Sequence, residues 1–252
     1  MTAVTASGLV KANGVTLYWA SWGEGEPVVL FHGGAGHSDH WSNQVPALMA
    51  KFRVIVIDAR GHGRSTRDTR PFTYAQMADD ALAVLDELKV DTFSAAGWSD
   101  GGVIALDLAI RHPERVKRLF VLGTNFTVSG GKRGSSPALT AYFARCAADY
   151  AKLSPTPKGY EALLAALRPM WKSQPDYAPD QLSGLTAATV VADGAHDELI
   201  RQAHLEEMVK LIPKSRLLLI PHSSHLALWQ QPAAVNEALL GWLAMEPAPG
   251  HR

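Results

Sequence analysis

Residues 92–110 read Thr92-Phe93-Ser94-Ala95-Ala96-Gly97-Trp98-Ser99-Asp100-Gly101-Gly102-Val103-Ile104-Ala105-Leu106-Asp107-Leu108-Ala109-Ile110, and this stretch decides the fold. Its first five residues suit a buried strand, and the run from Gly102 to Ile110 is long and apolar enough for a buried helix. Between them lies a Gly-x-Ser-x-Gly pentapeptide, Gly97-Trp98-Ser99-Asp100-Gly101. A serine on so tight a strand-to-helix turn is pushed above the sheet edge. Side chains two positions to either side would clash, which accounts for the two glycines. The helix begins directly behind the serine, so its N-terminal amides face any negative charge that develops there.

Outward from this stretch, apolar β-rich runs alternate with helical patterns. Strands are expected at Val15–Trp22, Pro27–Phe31, Arg53–Asp58, Thr92–Ala96, Val116–Leu122, Thr189–Ala192 and Arg216–Ile220. Several are unbroken Val/Ile/Leu runs, as parallel strands covered on both faces require. The first two, separated by Gly23-Glu24-Gly25-Glu26, read as an antiparallel entry hairpin. Helical stripes are Met77, Ala81, Val84, Leu85 and Leu88, opened by Thr73 and Gln76 as a capping box. Two more run through Leu205, Met208, Val209 and Ile212, and through Val235, Leu239, Trp242 and Leu243. Alternation of this kind indicates an α/β parallel sheet with helices on both faces.

From Asn125 to Leu185 the alternation stops. A Gly/Ser loop is followed by one helix carrying Leu139, Phe143, Cys146 and Tyr150. A second, opened by Thr156-Pro157, carries Tyr160, Leu163, Leu164 and Leu167 and ends through Pro169, Pro175 and Pro179. A helical insert between two strands would lie over the sheet edge where open α/β sheets bind ligands, so it reads as a lid. The expected organisation is a core of residues 1–124 and 186–246, a cap of 125–185 and a tail of 247–252.

The chain has 252 residues, 24 basic and 24 acidic, with 47% hydrophobic residues. Zero net charge argues against a nucleic-acid surface or a polybasic membrane patch. The N-terminal residues lack the basic head and apolar run of a secretory signal, and no stretch is long enough to span a bilayer. One cysteine excludes an internal disulfide. A cytoplasmic protein is expected. Cys146, on a helical stripe, reads as a buried structural thiol.

A serine hydroxyl is a poor nucleophile without a base, and the base needs an orienting acid. Both follow strands expected to end on the edge where Ser99 emerges. Asp197 stands in Asp193-Gly194-Ala195-His196-Asp197 and His225 in His222-Ser223-Ser224-His225. Asp193 and His222 are the respective rivals. The amide of Asp100 and an amide in His32-Gly33-Gly34-Ala35-Gly36, best Gly34, would form an oxyanion hole. Asp58, closing another strand, is expected to tie down the Arg60–Ser65 turn. His32, His37 and His40 raise the question of a metal, but no carboxylate spacing completes a zinc set, so none is expected. Trp41, Trp98, Tyr142 and Trp171 are candidates to line an acyl pocket. Aromatic residues near a core are the commoner case.

Together, His32-Gly33-Gly34, Asp58-Ala59-Arg60-Gly61-His62-Gly63-Arg64-Ser65, Gly97-Trp98-Ser99-Asp100-Gly101-Gly102, Asp197 and His225 resemble the α/β-hydrolase superfamily over all but the insert and tail. The elbow resembles that of the valacyclovir-hydrolase-like branch, serine esterases of amino-acid esters. The resemblance implies an eight-stranded, mostly parallel sheet with a helical cap and no cofactor. It favours His225 over His222 and Asp197 over Asp193. It also implies a small-molecule ester substrate, which the Asp100 carboxylate would meet through a substrate ammonium group. The other reading of Asp100 is an acidic residue favoured by the helix dipole. Lactone hydrolysis, C–C hydrolysis, perhydrolysis and a ligand-binding receptor with negligible turnover share the same machinery.

Overall fold

The computed structural model describes residues 4–247; beyond Pro247 the expected tail lies outside the described residues. In chain order the elements are β1 (Ala6–Ala12), β2 (Val15–Trp22), β3 (Glu26–Phe31), α1 (Val45–Leu48), β4 (Phe52–Ile57), α2 (Tyr74–Glu87), β5 (Phe93–Trp98), α3 (Asp100–Arg111) and β6 (Val116–Leu122). They continue as α4 (Pro137–Leu153), α5 (Tyr160–Ser173), α6 (Pro179–Ser183), β7 (Ala188–Gly194), α7 (Gln202–Leu211), β8 (Ser215–Ile220), α8 (Ala227–Gln230) and α9 (Pro232–Leu243). The eight strands form one sheet in the order β1-β2-β4-β3-β5-β6-β7-β8, and only β2 runs against the rest. This is an α/β-hydrolase fold. Every residue of β5 and β7 is buried. Successive strand side chains point to opposite faces, so both faces of the centre are covered.

The entry hairpin differs from expectation. β2 pairs with β1 through Asn13-Gly14 and with β4 on its other side, while β3 lies between β4 and β5. Asn13 and Gly14 have φ of 51° and 79°, the left-handed pair that a two-residue hairpin turn demands. Gly23 to Glu26 instead cross over to a central strand. At the opening of α2 the Thr73 hydroxyl accepts from the Gln76 amide at 3.1 Å, but the Gln76 side-chain oxygen has no partner, so only half the capping box forms. Within the insert α5 starts at Tyr160, because Thr156 is engaged by the Tyr150 hydroxyl at 2.9 Å and turns the chain. Pro169 sits inside α5, which runs on to Ser173. The α4 stripe buries Tyr142 rather than Phe143, which is 39% exposed. Among the described residues no helix is long and apolar enough to cross a membrane.

The chain leaves β3 for β4 on one side and later returns to β5 on the other. That makes the β3–β5 gap the topological switch point, where open sheets bind ligands. The loop after β3 and the turn after β5 flank it. Behind them Asp58, fully buried, accepts from the amides of Ser38 and Arg64 at 2.8 Å each. Its carboxylate therefore ties the expected turn and the loop after β3 together. Arg60 forms a two-pronged pair with Asp80 of α2 at 2.6 and 2.7 Å, with both side chains 2% exposed. Removing one partner strands a buried charge, which costs about 3–5 kcal/mol. Asp80→Ala should lower stability in urea by that amount. The paired change Arg60→Met with Asp80→Leu should lose much less, and equal losses would show that packing, not charge, holds this loop.

Candidate active site

Ser99 has φ 55° and ψ −122°, a backbone conformation that a non-glycine residue adopts at about 1–3 kcal/mol. The flanking sequence enforces it. A Cβ on Gly97 would stand 2.1 Å from the Gly101 carbonyl oxygen, and one on Gly101 2.2 Å from that of Phe31. The Ser99 amide bonds to the Leu122 carbonyl of β6 at 2.8 Å, while its own carbonyl receives the Gly102 amide of α3 at 2.8 Å. Pinned from both sides, the side chain faces a cavity of about 190 Å³, lined by Gly34, Trp98, Ser99, Asp100, Leu139, Tyr142, Phe143, Trp171, Leu199 and His225.

His225 and Asp197 meet there from the loops after β8 and β7. The Nδ1 of His225 donates to Asp197 Oδ2 at 2.6 Å, and Asp197 Oδ1 accepts from the amides of Leu199 and Ile200 at 2.5 and 2.8 Å. Burial alone would raise the Asp197 carboxyl. The charge and hydrogen bond of His225, with the bond from Asp193, outweigh it and hold the carboxyl down at about 2. Asp193 is the opposite case. Buried at the end of β7 beside the Asp197 charge, it is pushed well above the usual carboxylate range, which favours the protonated form that hydrogen-bonds Asp197. The two acidic candidates are thus a charged partner of the imidazole and a neutral donor behind it. His222, the rival base, is exposed and outside the cavity.

Both residues of the expected oxyanion hole line the cavity. Gly34 lines the cavity with Ser99, and Asp100 is the first residue of α3, where its amide has no helical acceptor. The loop carrying Gly34 is held by histidines. His62 Nε2 accepts from the Ala35 amide at 3.2 Å, and His32 Nε2 accepts from the Ala59 amide at 3.0 Å. Each ring donates its other nitrogen to a carbonyl, so both are neutral, and burial lowers His62 to about 3. The Tyr142 hydroxyl of α4 donates to the Gly34 carbonyl at 2.7 Å, which fixes the peptide from the insert side.

The Asp100 side chain also faces the cavity. Tyr74 donates its hydroxyl to Oδ1 at 2.9 Å and Trp171 its indole N–H to Oδ2 at 2.7 Å. Burial raises the carboxyl above its ordinary value, and the two bonds only partly offset this. It is the one carboxylate among the lining residues, and its bonded partners are uncharged.

Of the expected aromatics, Trp98, Tyr142 and Trp171 line the cavity, whereas Trp41 is fully buried away from it. Leu139, Phe143 and Leu199 line it too, though the sequence gives none of them that role. The first two belong to the α4 stripe. Glu198, beside Asp197, accepts from the His225 amide at 3.1 Å and bonds Ser136 at the start of α4. Cys146 is buried, and burial pushes its thiol up to about 12.

Residues 26–140 match the family described as alpha/beta hydrolase fold. A putative carbamate hydrolase of Azorhizobium caulinodans is 40% identical over 106 residues, which are 42% of this chain and only 40% of that relative's length. A putative non-heme bromoperoxidase of Mycobacterium tuberculosis is 30% identical over 268 residues, spanning 91% of this chain and 98% of the relative. A thermophilic esterase of Thermogutta terrifontis has a solved structure that superposes with a TM-score of 0.72 at 26% identity, covering 96% of this chain and 98% of that one.

The charge assignment at the acid pair has a measurable consequence. A carboxyl whose folded pKa is raised penalises the folded state increasingly as pH rises above its unfolded value near 3.8, at up to about 1.4 kcal/mol per pH unit. Asn at position 193 keeps the donor and cannot ionise. Asp193→Asn should therefore gain urea stability relative to the parent at pH 8 compared with pH 5. An identical difference at both pH values would mean that Asp193 is not held protonated.

Proposed function

This chain belongs to the α/β-hydrolase fold family, and we propose that it is a serine hydrolase of small carboxylic esters working through an acyl-enzyme. The observation that carries the reading is the strained Ser99 facing a cavity shared with His225, whose other nitrogen is bonded to an ionised Asp197 at 2.6 Å. Ser99 Oγ attacks the ester carbonyl carbon as its proton passes to His225 Nε2. The amides of Gly34 and Asp100 hold the resulting oxyanion. The tetrahedral intermediate expels the alcohol, which takes the proton from His225. A water, deprotonated by the same imidazole, then releases the acid and restores Ser99. Asp197 keeps the imidazole in the tautomer that leaves Nε2 free to accept.

The cavity of about 190 Å³ lies below the range of roughly 300–1,000 Å³ of drug-sized ligand sites, in keeping with a small acyl group. Its chemistry favours an amino-acid ester. Asp100 places a carboxylate with only neutral donors beside the serine, and a substrate ammonium group would supply the missing counter-charge. Trp98, Tyr142 and Trp171 give the rest of the acyl pocket an aromatic wall.

Ser99→Ala should cut turnover of a short-chain p-nitrophenyl ester about 10⁴–10⁶-fold and abolish labelling by a fluorophosphonate. Retained turnover removes Ser99 from the mechanism, and labelling of the parent without turnover points to a binding protein instead. Asp100→Asn should depress hydrolysis of an aminoacyl ester far more than that of its des-amino analogue. Equal losses on the two would sink the ammonium reading.

A further inference from the structure

The loop after β3 carries His37 and His40, and α4 brings Asp149 against them from more than a hundred residues away. One donor atom from each lies within 4.8 Å of the others, and His37 Nε2 stands 3.3 Å from Asp149 Oδ2. The His40 ring is fully buried, yet neither of its nitrogens has a hydrogen-bond partner, and His37 Nδ1 is buried and unpartnered as well. A buried imidazole bears one N–H and one lone pair, and leaving both unsatisfied forfeits the hydration each had in water, so such groups call for an explanation. Around His40 stand the rings of His37, Trp98, Tyr142 and Trp229.

We propose that His37, His40 and Asp149 form a binding site for a divalent transition-metal cation of the zinc type, which ties α4 to the loop after β3. Two imidazoles and a carboxylate suit zinc, with a fourth position left to water. Donors around tetrahedral zinc stand roughly 3.3 Å apart. The His37–Asp149 separation already matches this, and the separations to His40, at most 4.8 Å, close by rotation of the three side chains about the ion. Asp39 Oδ2, 3.7 Å from His37 Nδ1, is placed as the outer carboxylate that commonly orients a metal-bound histidine. Asp39 is itself held by Arg64 at 2.6 Å. One cation now faces the cluster directly. Arg145, half exposed and stacked on Trp229, lies 3.4 Å from Asp149 and would turn to solvent as the metal takes its place. The site is distinct from Ser99 and its partners. Its ligand Asp149 shares a helix with Leu139, Tyr142 and Phe143, so the ion would fix the wall of the cavity.

The test uses the whole chain, stripped with chelator and titrated with zinc sulfate at pH 7.5. Calorimetry should give one zinc per chain, and zinc should shift the ring ¹⁵N signals of His37 and His40 while leaving those of His225 unchanged. Asp149→Asn should weaken binding at least tenfold. Arg145→Ala, which frees Asp149 from its present partner, should bind more tightly than the parent. No uptake at one equivalent, uptake undiminished in Asp149→Asn, weaker binding in Arg145→Ala, or shifts at His225 in place of His37 and His40 would each overturn the site. The nitrogen signals are read on the unaltered protein, so the outcome does not hinge on any variant folding.

Discussion

The backbone at Ser99 is the constraint from which the rest of the site follows. A left-handed serine between β5 and α3 exists only because its neighbours hold it, through the Leu122 carbonyl on one side and the helix on the other. The packing that prevents relaxation is carbonyl against Cα at Gly97 and Gly101, with no room for a methyl group. Once this corner is set, the switch point between β3 and β5 lies in front of it, and every loop reaching that edge must come to terms with the serine. His225 and Asp197 arrive from the two strands beyond β6, and the Gly34 loop from the strand on the other side.

Around this corner charge is distributed by environment rather than by residue type. Three aspartates face or flank the cavity, and each is in a different condition. Asp197 is ionised because an imidazole bonds it, and Asp193 is raised by burial and by the Asp197 charge beside it. Asp100 is raised by burial between neutral donors. The histidines of the supporting loops are neutral by burial, so they act as two-ended spacers between backbone groups. An ionised acid bonded to one nitrogen of an imidazole, with the other nitrogen facing the cavity, is what general-base chemistry requires.

Much of this was legible in the chain because parallel strands announce themselves. Several of the runs from β3 to β8 are apolar without alternation, and the loops after β5, β7 and β8 carry Ser99, Asp197 and His225. β1 was not legible, since Ala6–Ala12 is an edge strand with one buried residue and little pattern to find. The pairing of β2 also escaped, because periodicity tells which face a residue takes and not which strand it meets. Asn13-Gly14 was the available signal. What composes the far wall was less legible still. Tyr74, Glu198 and Asp149 come to the site through packing of α2, the β7 loop and the insert, and nothing in their local spacing marks them. Asp149 completes a carboxylate-and-histidine set that local spacing around His37 and His40 lacks.

The bonds of residues 125–185 bear on how such a segment could be exchanged between proteins. Trp171 supplies one of the two donors to Asp100, Tyr142 fixes the Gly34 peptide, Tyr177 bonds Asp107 of α3 at 2.8 Å, and Ser136 is tied to Glu198. Each bond runs from the segment to a residue of the sheet scaffold, and two of the four reach residues that line the cavity. The segment is therefore not an interchangeable cassette. A graft from a relative would have to carry matching donors, or be accompanied by changes at Asp100, Asp107 and Glu198. Specificity in this chain is written jointly on both sides of the seam.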